Sequence, residues 1–296
     1  MSVIDGVAIS QNLRLELKEK LQMIKLKSKV ELDPPHLVAI LVGNDPASQV
    51  YIRQKEKACL EVGIHFTLIK MDCDSTTKQV VEQVKYVNTR TDVHGCLVQL
   101  PLPKTIETDA VIMAISPDKD VDCFHPFNIG LMALNKPRFI PATPYGIKLL
   151  LEHIKVPTRG KNCVIIGKSL IVGQPLMNLL SLENDMAATV TCCDRYTENL
   201  GHYTKNADIL IVAAGVHHLI SDPEMIKMGA VVIDVGIHRI NDRNSKSGYR
   251  LEGDVNYELI RHRAGYITPV PGGVGPMTVV ALLYNTYLSY SSHWCP

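Results

Sequence analysis

The sequence of 296 residues has no excess of either charge and no long apolar stretch. Its 31 lysines and arginines stand against 30 aspartates and glutamates, which excludes a broad basic surface for nucleic acid and an acidic solvating tail. No run of about 18 uncharged apolar residues occurs, which argues against a membrane-spanning helix. The first residues mix acidic and basic side chains and lack the apolar core of a signal peptide. We therefore expect a soluble cytoplasmic protein with neither a nucleic-acid nor a membrane partner.

The eight cysteines include no C-x-x-C pair, which argues against a disulfide framework or a zinc site. Cys192-Cys193 and His217-His218 look like halves of a metal site, but neither has a partner pair at a ligand spacing. The sequence therefore predicts reduced core thiols and no metal.

Short apolar runs alternate with segments of helical length along most of the chain. The predicted strands are 36–43, 65–71, 95–100, 162–167, 188–193, 209–213 and 230–235. The predicted helices are 46–62, 77–89, 108–115, 175–182 and a last one from Pro276 to about Tyr290, with proline at its first position. This alternation is typical of α/β proteins whose parallel sheets are covered on both faces.

The chain length indicates two domains at about 150 residues each. A proline-rich stretch from Lys136 to Pro144 is the predicted boundary. Residues 1–143 then form the first domain, to which the last helix, 276–296, returns, and residues 144–275 form the second. We expect the active site in the cleft between the domains, where small-molecule sites usually lie.

The turn between Gly167 and Gly173 joins a predicted strand to a helix and suits a dinucleotide phosphate at the helix N-terminus. Its spacing is not G-x-G-x-x-G, so an ordinary strand–helix turn is an equal alternative. The next strand ends in Asp194-Arg195, where a Rossmann strand presents its ribose-binding residue. Asp194 suits a free 2′-hydroxyl, whereas Lys168 and Arg195 suit a 2′-phosphate. A dinucleotide site is the favoured interpretation.

Tyr51 and Lys55 lie one turn apart on the predicted helix 46–62 and share a stripe of small and apolar residues. The stripe is completed by Ala47, Ala58 and Val62. Lys55 is either a lysine whose stem covers the core beside a tyrosine or a partly desolvated amine that can act as a base.

Three further segments each have two interpretations. Gln99 ends an apolar strand before prolines, and either caps that strand or faces a ligand. The aspartates of 118–122 fail as a calcium loop, because the sixth position is Cys123 and the twelfth is Ile129. One of them either accepts hydrogen bonds from a ligand or forms a turn. The loop 268–276, with three glycines between prolines, either packs against a flat ligand or is a structural turn.

Taken together, these segments resemble the bifunctional methylenetetrahydrofolate dehydrogenase/methenyltetrahydrofolate cyclohydrolase family. The matches keep the order of the family from near residue 40 to the C-terminal helix. They are Val42-Gly43, Asp45-Pro46-Ala47-Ser48 with Tyr51 and Lys55, Val98-Gln99-Leu100-Pro101-Leu102-Pro103, Pro117 with Lys119-Asp120-Val121-Asp122, Gly167 with Ser169 and Ile171-Val172-Gly173, Asp234-Val235-Gly236, and Pro271-Gly272-Gly273-Val274-Gly275-Pro276.

The resemblance implies a homodimer of two-domain α/β subunits whose second domain is Rossmann-like. It implies oxidation of 5,10-methylenetetrahydrofolate to 5,10-methenyltetrahydrofolate by hydride transfer to NADP rather than NAD. Hydrolysis of that product to 10-formyltetrahydrofolate follows at the same site. The substrate is thus a small molecule, one-carbon-loaded tetrahydrofolate.

The resemblance also implies a role for each site residue. Tyr51 and Asp122 hold the pteridine, Lys55 manages the proton of the attacking water, and Gln99 orients the amine. The other substrate-binding residues are Val98, Leu100, Pro271, Gly272, Gly273, Val274 and Gly275. The dinucleotide-binding residues are Gly167, Lys168, Ser169, Arg195 and Ile237.

The chain departs from the family pattern at a few positions. Cys123 stands where glycine is usual and Ala142 where cysteine is usual. Lys168 replaces arginine, and Asp194-Arg195 replaces His-Ser, which changes the pocket expected to bind a 2′-phosphate. A dehydrogenase without hydrolase activity and a non-catalytic folate- or dinucleotide-binding protein are the alternatives. The presence of Lys55, together with Gln99 and Asp122, argues against both.

Overall fold

The computed structural model describes residues 2–28, 31–183, 186–243, 245 and 248–292. The chain divides into two units, each assembled from two separate segments. The six-stranded unit comprises Met1–Ser10 and Thr143–Thr278, and the three-stranded unit comprises Gln11–Ala142 and Val279–Pro296.

The bounds of the elements within the described residues are as follows. The helices are α1 (Gly6–Lys27), α2 (Pro46–Val62), α3 (Thr77–Thr89), α4 (Thr108–Ala114), α5 (Pro126–Ala133), α6 (Ala142–His153), α7 (Gly173–Ser181), α8 (Leu200–Thr204), α9 (Tyr257–Ile260) and α10 (Val274–Ser292). The strands are β1 (Ser2–Val3), β2 (His36–Val42), β3 (His65–Met71), β4 (Gly95–Val98), β5 (Asn162–Ile166), β6 (Thr189–Cys193), β7 (Ile209–Val212), β8 (Val231–Asp234), β9 (His238–Asn241), β10 (Tyr249–Glu252) and β11 (Tyr266–Ile267). In the part of the chain that the structure describes, no helix combines the length and the apolar character that crossing a membrane requires.

Strand β2 lies in the middle of the three-stranded sheet and pairs in parallel with β3 on one side and β4 on the other. Every residue of β2 is buried, as a central parallel strand covered on both faces requires. Val38, Ile40 and Val42 share a core cluster with the valines of α3, a helix that begins with a capping box of Thr76 and Gln79. The carboxyl ends of β2 and β4 therefore lie side by side, at the edge where α/β proteins bind ligands.

The other sheet has the strand order β1-β11-β8-β7-β5-β6 within the described residues, and all its pairings are parallel. The order reverses at β5, which has β6 on one side and β7 on the other, as in a Rossmann-like sheet. Its core runs from Val164 in β5 to Ile267 in β11. Strands β9 and β10 form a separate antiparallel pair.

The predicted α/β class with parallel sheets and a Rossmann-like second unit is confirmed. Helices 46–62 and 77–89 and strand 65–71 have the predicted bounds. The other predicted strands, and the helices 108–115 and 175–182, agree to within two residues at each end.

Some elements differ from the prediction. The last helix begins at Val274, so Pro276 is its third residue rather than its first, still in the turn where backbone amides need no helical partner. Helices α1 and α5 and the β9–β10 pair were not predicted. In α1 the buried Ile9, Leu17 and Leu21 are separated by charged and polar residues, which weakens the apolar signal.

The N-terminal residues also lie elsewhere than predicted. The prediction placed residues 1–143 in one domain, whereas Met1–Ser10 belong to the six-stranded unit. Strand β1 pairs with β11, and the Ile4 amide donates a hydrogen bond to the carbonyl of Ile267 at 2.8 Å. The boundary in the last helix lies between Thr278 and Val279.

Candidate active site

Helix α2 carries two of the predicted site residues, and local chemistry defines both of its ends. Oδ2 of Asp45 accepts a hydrogen bond from the Ser48 amide at 2.7 Å, and Gly63 ends the helix with a φ of +86°. Its buried residues are Ser48, Ile52, Ala58, Cys59 and Val62.

The predicted stripe through Tyr51 and Lys55 is therefore confirmed at Ala58 and Val62, which are buried, and wrong at its N-terminal end. Ala47 is exposed and Tyr51 is 46% exposed, because Ile52 and Cys59 pack into the core instead. Lys55 is half-buried at the border of this face. Tyr51 can thus present its ring to a flat ligand, and Lys55 is partly accessible from solvent.

Lys55 and Gln99 are joined by a hydrogen bond across the end of the three-stranded sheet. Nζ of Lys55 donates to Oε1 of Gln99 at 3.0 Å. Nε2 of the buried Gln99 side chain donates to the carbonyl of Leu100 at 2.7 Å. The backbone N–H of Gln99 donates to the carbonyl of Ile40 at 2.9 Å. Because the side-chain NH₂ is held by Leu100, the oxygen faces the lysine and fixes the position of the amine.

Asp120 is the turn-forming residue of the acidic segment. Its carboxylate accepts hydrogen bonds from the amides of Phe124 at 3.1 Å and His125 at 2.9 Å, and from Nδ2 of Asn128 at 2.9 Å. Burial raises the pKa of this carboxyl to about 6. Asp120 therefore stabilises the chain between Val121 and α5, and its burial keeps it away from a ligand.

Asp122 is the residue of this segment that is available to a ligand. Its carboxylate accepts no hydrogen bond from any described residue. Burial raises its pKa from the ordinary value, and the positive charge of Lys55 acts in the opposite direction. Asp122 therefore lies within electrostatic range of Lys55, whose amine is hydrogen-bonded to Gln99.

The backbone conformation at Cys123 explains why glycine is usual at this position. Its φ is +60°, in the left-handed region, and its Sγ donates to the carbonyl of Phe139 at 3.3 Å from a buried position. A side chain is strained in this backbone conformation, whereas glycine is not. Here the Cys123 thiol is packed in the core and hydrogen-bonded. The substitution leaves Asp122 in place.

The turn before α7 needs both of its glycines. Gly167 has a φ of +113°, and a Cβ there would lie 2.1 Å from the carbonyl oxygen of Ala213. A Cβ on Gly173 would lie 1.9 Å from the carbonyl oxygen of Gly167. Within the turn, Oγ of Ser169 accepts a hydrogen bond from the Val172 amide at 3.2 Å. The result is a bare backbone turn at a helix N-terminus, which suits a phosphate.

Beside this turn, Lys168 and Asp194 form an ion pair, and Arg195 is a further cation. Nζ of Lys168 lies 3.1 Å from Oδ2 of Asp194. The amide of Tyr196 and then Lys168 hold the pKa of the Asp194 carboxyl below its usual value. Arg195 instead lies over the ring of Tyr196, 4.8 Å from its centroid, and donates to its hydroxyl at 2.8 Å. Lys168 thus compensates Asp194, and Arg195 is left to attract an anion.

The ends of β7 and β8 are held by a buried carboxylate that the sequence analysis missed. Oδ2 of Asp254 accepts hydrogen bonds from the amides of Ala214 at 2.7 Å and Gly215 at 2.9 Å, while Oδ1 lies 2.7 Å from Nε2 of His238. Asp254 is fully buried. The signal for it in the sequence is the small residue before it, since a Cβ on Gly253 would lie 1.8 Å from Oδ2 of Asp234.

Asp234 is a second buried carboxylate in this region, three residues before the predicted cofactor-binding residue Ile237. Its carboxylate accepts hydrogen bonds from the amides of Gly236, Asp254 and Val255 at 2.9–3.0 Å. Burial nevertheless raises its pKa to about 7. Ile237 follows at the surface, 49% exposed, where a ligand can contact it.

The buried Asp234 carboxyl predicts a pH dependence of stability. Its pKa is about 7 in the folded chain against an ordinary 3.8, so the folded protein binds this proton more tightly than the unfolded chain does. The stabilising contribution is therefore complete below pH 3.8 and is lost as the pH rises towards 7, by up to about 1.4 kcal/mol per pH unit. Asp120 acts in the same direction up to about pH 6. Urea unfolding between about pH 5 and pH 8 measures the slope.

Asp234→Asn should flatten this slope, because the replacement does not titrate. Asp208→Asn is the control, since Lys227 holds the pKa of the Asp208 carboxyl below its usual value and its titration lies outside the range. An unchanged slope in Asp234→Asn would contradict the assignment.

The remaining predicted substrate residues, 271–275, lie in the six-stranded unit. Gly272 has a φ of +106°, and a Cβ on Gly273 would lie 2.6 Å from Cβ of Thr268. Val274 is buried. In the three-stranded unit, Val98 is buried and Leu100 half-buried behind Gln99.

The chain matches known proteins over nearly its whole length. The family described as tetrahydrofolate dehydrogenase/cyclohydrolase matches with its catalytic domain over residues 4–122 and with its NAD(P)-binding domain over residues 141–294. The bifunctional protein FolD of Chlorobium phaeobacteroides is 47% identical over 293 residues, which are 98% of this chain and 97% of that protein.

Two solved structures are similar over the full chain. The bifunctional FolD methylenetetrahydrofolate dehydrogenase/cyclohydrolase of Campylobacter jejuni is 41% identical over 99% of both chains, with a TM-score of 0.91. The FolD of Trypanosoma brucei, solved with NADP cofactor and inhibitor, is 35% identical over 100% of this chain and 99% of that one, with a TM-score of 0.93. The resemblance found in the sequence is thereby confirmed, and the chain belongs to the tetrahydrofolate dehydrogenase/cyclohydrolase family.

Proposed function

We propose that this protein oxidises 5,10-methylenetetrahydrofolate to 5,10-methenyltetrahydrofolate with NADP as the hydride acceptor, and then hydrolyses the product to 10-formyltetrahydrofolate. The observation that carries the proposal is the group formed by Lys55, the Gln99 side chain hydrogen-bonded to it at the end of the three-stranded sheet, and the Asp122 carboxyl, on which the Lys55 charge acts. The group unites an amine, an amide that fixes it and a carboxylate without a protein donor. The family membership of the chain supports the same conclusion.

The oxidation requires positioning rather than acid–base chemistry. The methylene carbon loses a hydride and becomes a methenyl cation, and the nicotinamide of NADP supplies the acceptor for that hydride. Asp122 accepts hydrogen bonds from the N–H groups of the pteridine, and Tyr51 packs against its ring.

The hydrolysis requires a proton to be removed from water. The water oxygen adds to the methenyl carbon while one of its protons passes to the amine of Lys55. The remaining hydroxyl proton then leaves, the carbon–N5 bond breaks, and N5 takes up a proton, which yields the formyl group on N10. Gln99 holds the lysine amine towards the reacting carbon through the hydrogen bond to Oε1.

The dinucleotide-binding residues fit NADP. The turn from Gly167 to Gly173 presents backbone to the pyrophosphate, with Ser169 inside it. Lys168 is paired with Asp194, so the cation that discriminates a 2′-phosphate from a hydroxyl is Arg195.

Arg195→Ala is therefore expected to raise the Michaelis constant for NADP by about 10–100-fold, since a charge-assisted hydrogen bond contributes about 1.5–3 kcal/mol. The constant for NAD should change little. Steady-state kinetics with both cofactors measure the difference, with the exposed Arg159→Ala of the same unit as the control. Equal changes for both cofactors, or a wild type that prefers NAD, would rule out this role.

An absorbance assay with 5,10-methylenetetrahydrofolate and each dinucleotide tests the proposed function, followed by a separate assay that starts from the methenyl compound. We expect reduction of NADP and loss of the methenyl compound on the same preparation. Oxidation without hydrolysis would favour a dehydrogenase only. Ligand binding without either reaction would favour a non-catalytic binding protein.

We further infer a cytoplasmic homodimer that acts on a small-molecule folate and binds neither nucleic acid nor membrane. The family resemblance supports the dimer, and the near balance of charges supports the absence of nucleic acid. Light scattering of the purified chain measures its molar mass, and a monomeric value would contradict the dimer.

A further inference from the structure

Two adjacent histidines and a distant glutamate meet at the surface of the six-stranded unit. His217 and His218 lie in the loop after β7, and Glu252 is the last residue of β10, 35 positions from His217. Oε2 of Glu252 lies 2.5 Å from Nε2 of His217 and 3.3 Å from Nε2 of His218. One ligand atom from each residue lies within 4.8 Å of the other two. The sequence contains only the histidine pair as a local pattern, which is why it predicts no metal.

We propose that His217, His218 and Glu252 form a binding site for a divalent transition-metal ion of the zinc type. Two imidazole nitrogens and one carboxylate oxygen are the donor set that zinc accepts with a water in its fourth position. Magnesium and calcium prefer oxygen ligands throughout, so the two imidazoles select against them.

The two distances between the carboxylate and the imidazoles are close to those that the ion requires. Zinc holds such ligands at about 2.0–2.2 Å, which places tetrahedral donor atoms roughly 3.3 Å apart. The pair of His218 and Glu252 already has this separation, and His217 has to move away from the carboxylate by less than about 1 Å. The three side chains are 19–38% exposed, so an ion and its water can enter from solvent.

Neighbouring residues hold the ligands in position. Nε of Arg250 lies 2.5 Å from Oε1 of Glu252, which leaves Oε2 as the metal-binding oxygen. The side-chain amide of Asn256 lies 3.4 Å from Nδ1 of His218. The imidazoles of His217 and His218 stack with centroids 3.8 Å apart and planes 23° apart, so one ring has to turn about its side-chain bonds before both point at one ion. His238 is 5.5 Å from His217 by centroids, but its Nε2 is bound to Asp254 and is not a ligand. Such outer contacts orient metal ligands.

Titration of the full-length chain with Zn²⁺ alone, followed by calorimetry, tests the proposal. His218→Gln and Glu252→Gln should each weaken one binding event by at least roughly 100-fold, because loss of an outer contact alone costs 10–100-fold. The exposed His262→Gln of the same unit is the control and should bind zinc as the wild type does. Unchanged zinc binding in both cluster variants would overturn the proposal.

A melting experiment keeps the proposal testable if a variant binds zinc elsewhere on the chain. Zn²⁺ should raise the melting temperature of the wild type and of His262→Gln, since the ion binds the folded state. The increase should be absent from His218→Gln and Glu252→Gln, and Mg²⁺ at the same concentration should not produce it. An equal increase in all four proteins, or an equal effect of Mg²⁺, would assign the binding to other groups.

Discussion

Lys55→Met is expected to slow the hydrolysis of 5,10-methenyltetrahydrofolate by ~10²–10⁴-fold, the usual effect of losing a general base, while the dehydrogenase activity falls much less. Methionine preserves most of the volume of the lysine stem but cannot take a proton from water. In the proposed mechanism, hydride transfer depends on the pteridine contacts of Asp122 and Tyr51, which the substitution leaves in place. Both activities are measured on the same purified variant, with the methenyl compound as the substrate for hydrolysis.

Lys57→Met is the matched control for this variant. Lys57 lies on the same helix, but its side chain is exposed and its Nζ lies 4.0 Å from Oε1 of Glu61. It should retain both activities. If hydrolysis by Lys55→Met continues at a near-normal rate, the amine is a positioned surface lysine and another group removes the proton.

Gly173→Ala is expected to have the opposite selectivity and to abolish most of the NADP-dependent activity. The new Cβ would lie 1.9 Å from the carbonyl oxygen of Gly167, so the turn or the start of α7 has to move by roughly 1 Å. A displacement of that size at a binding turn costs about 10²-fold in activity. The same overpacking should lower the free energy of unfolding by ~1–3 kcal/mol. Hydrolysis should fall less, because Lys55, Gln99 and Asp122 belong to the other unit.

Gly130→Ala is the control that separates the steric overlap at Gly173 from the general effect of replacing a helical glycine. Gly130 lies within α5, and a Cβ there would have no atom within 4 Å. Its replacement should raise the free energy of unfolding by ~0.5–1 kcal/mol and leave NADP affinity unchanged. Calorimetric NADP binding and urea unfolding measure both variants. Wild-type NADP affinity in Gly173→Ala would show that the turn does not contact the cofactor.

The sheets could be predicted from the sequence because a parallel strand covered on both faces must be apolar throughout. Every residue of β2 and β4 is buried, and their continuous apolar runs can be recognised in the sequence without knowledge of any tertiary contact. The buried face of α2 was not predictable in the same way. The stripe through Tyr51 and the stripe through Ile52 are neighbours on the helix, and only packing against the rest of the unit decides between them.

The family resemblance pointed to Asp122, but the physical reason for choosing it among the aspartates required the fold. Asp120 and Asp122 are equivalent in the sequence pattern, but the amides of Phe124 and His125 and the side chain of Asn128 reach only Asp120. Asp254 is a more distant case, because its amide partners are 39 and 40 positions away. Asp254 binds backbone amides from a distant part of the chain, so the local sign of it in the sequence is the neighbouring Gly253.

The pairing of β1 with β11 has a consequence for the order in which the protein is made. The ribosome releases the N-terminus first, yet Ser2 and Val3 find their partners only when Tyr266 and Ile267 have emerged. Strand β1 therefore stays unpaired through most of translation. A fragment that begins after residue 140 lacks this strand and leaves β11 at the edge of the sheet without its partner.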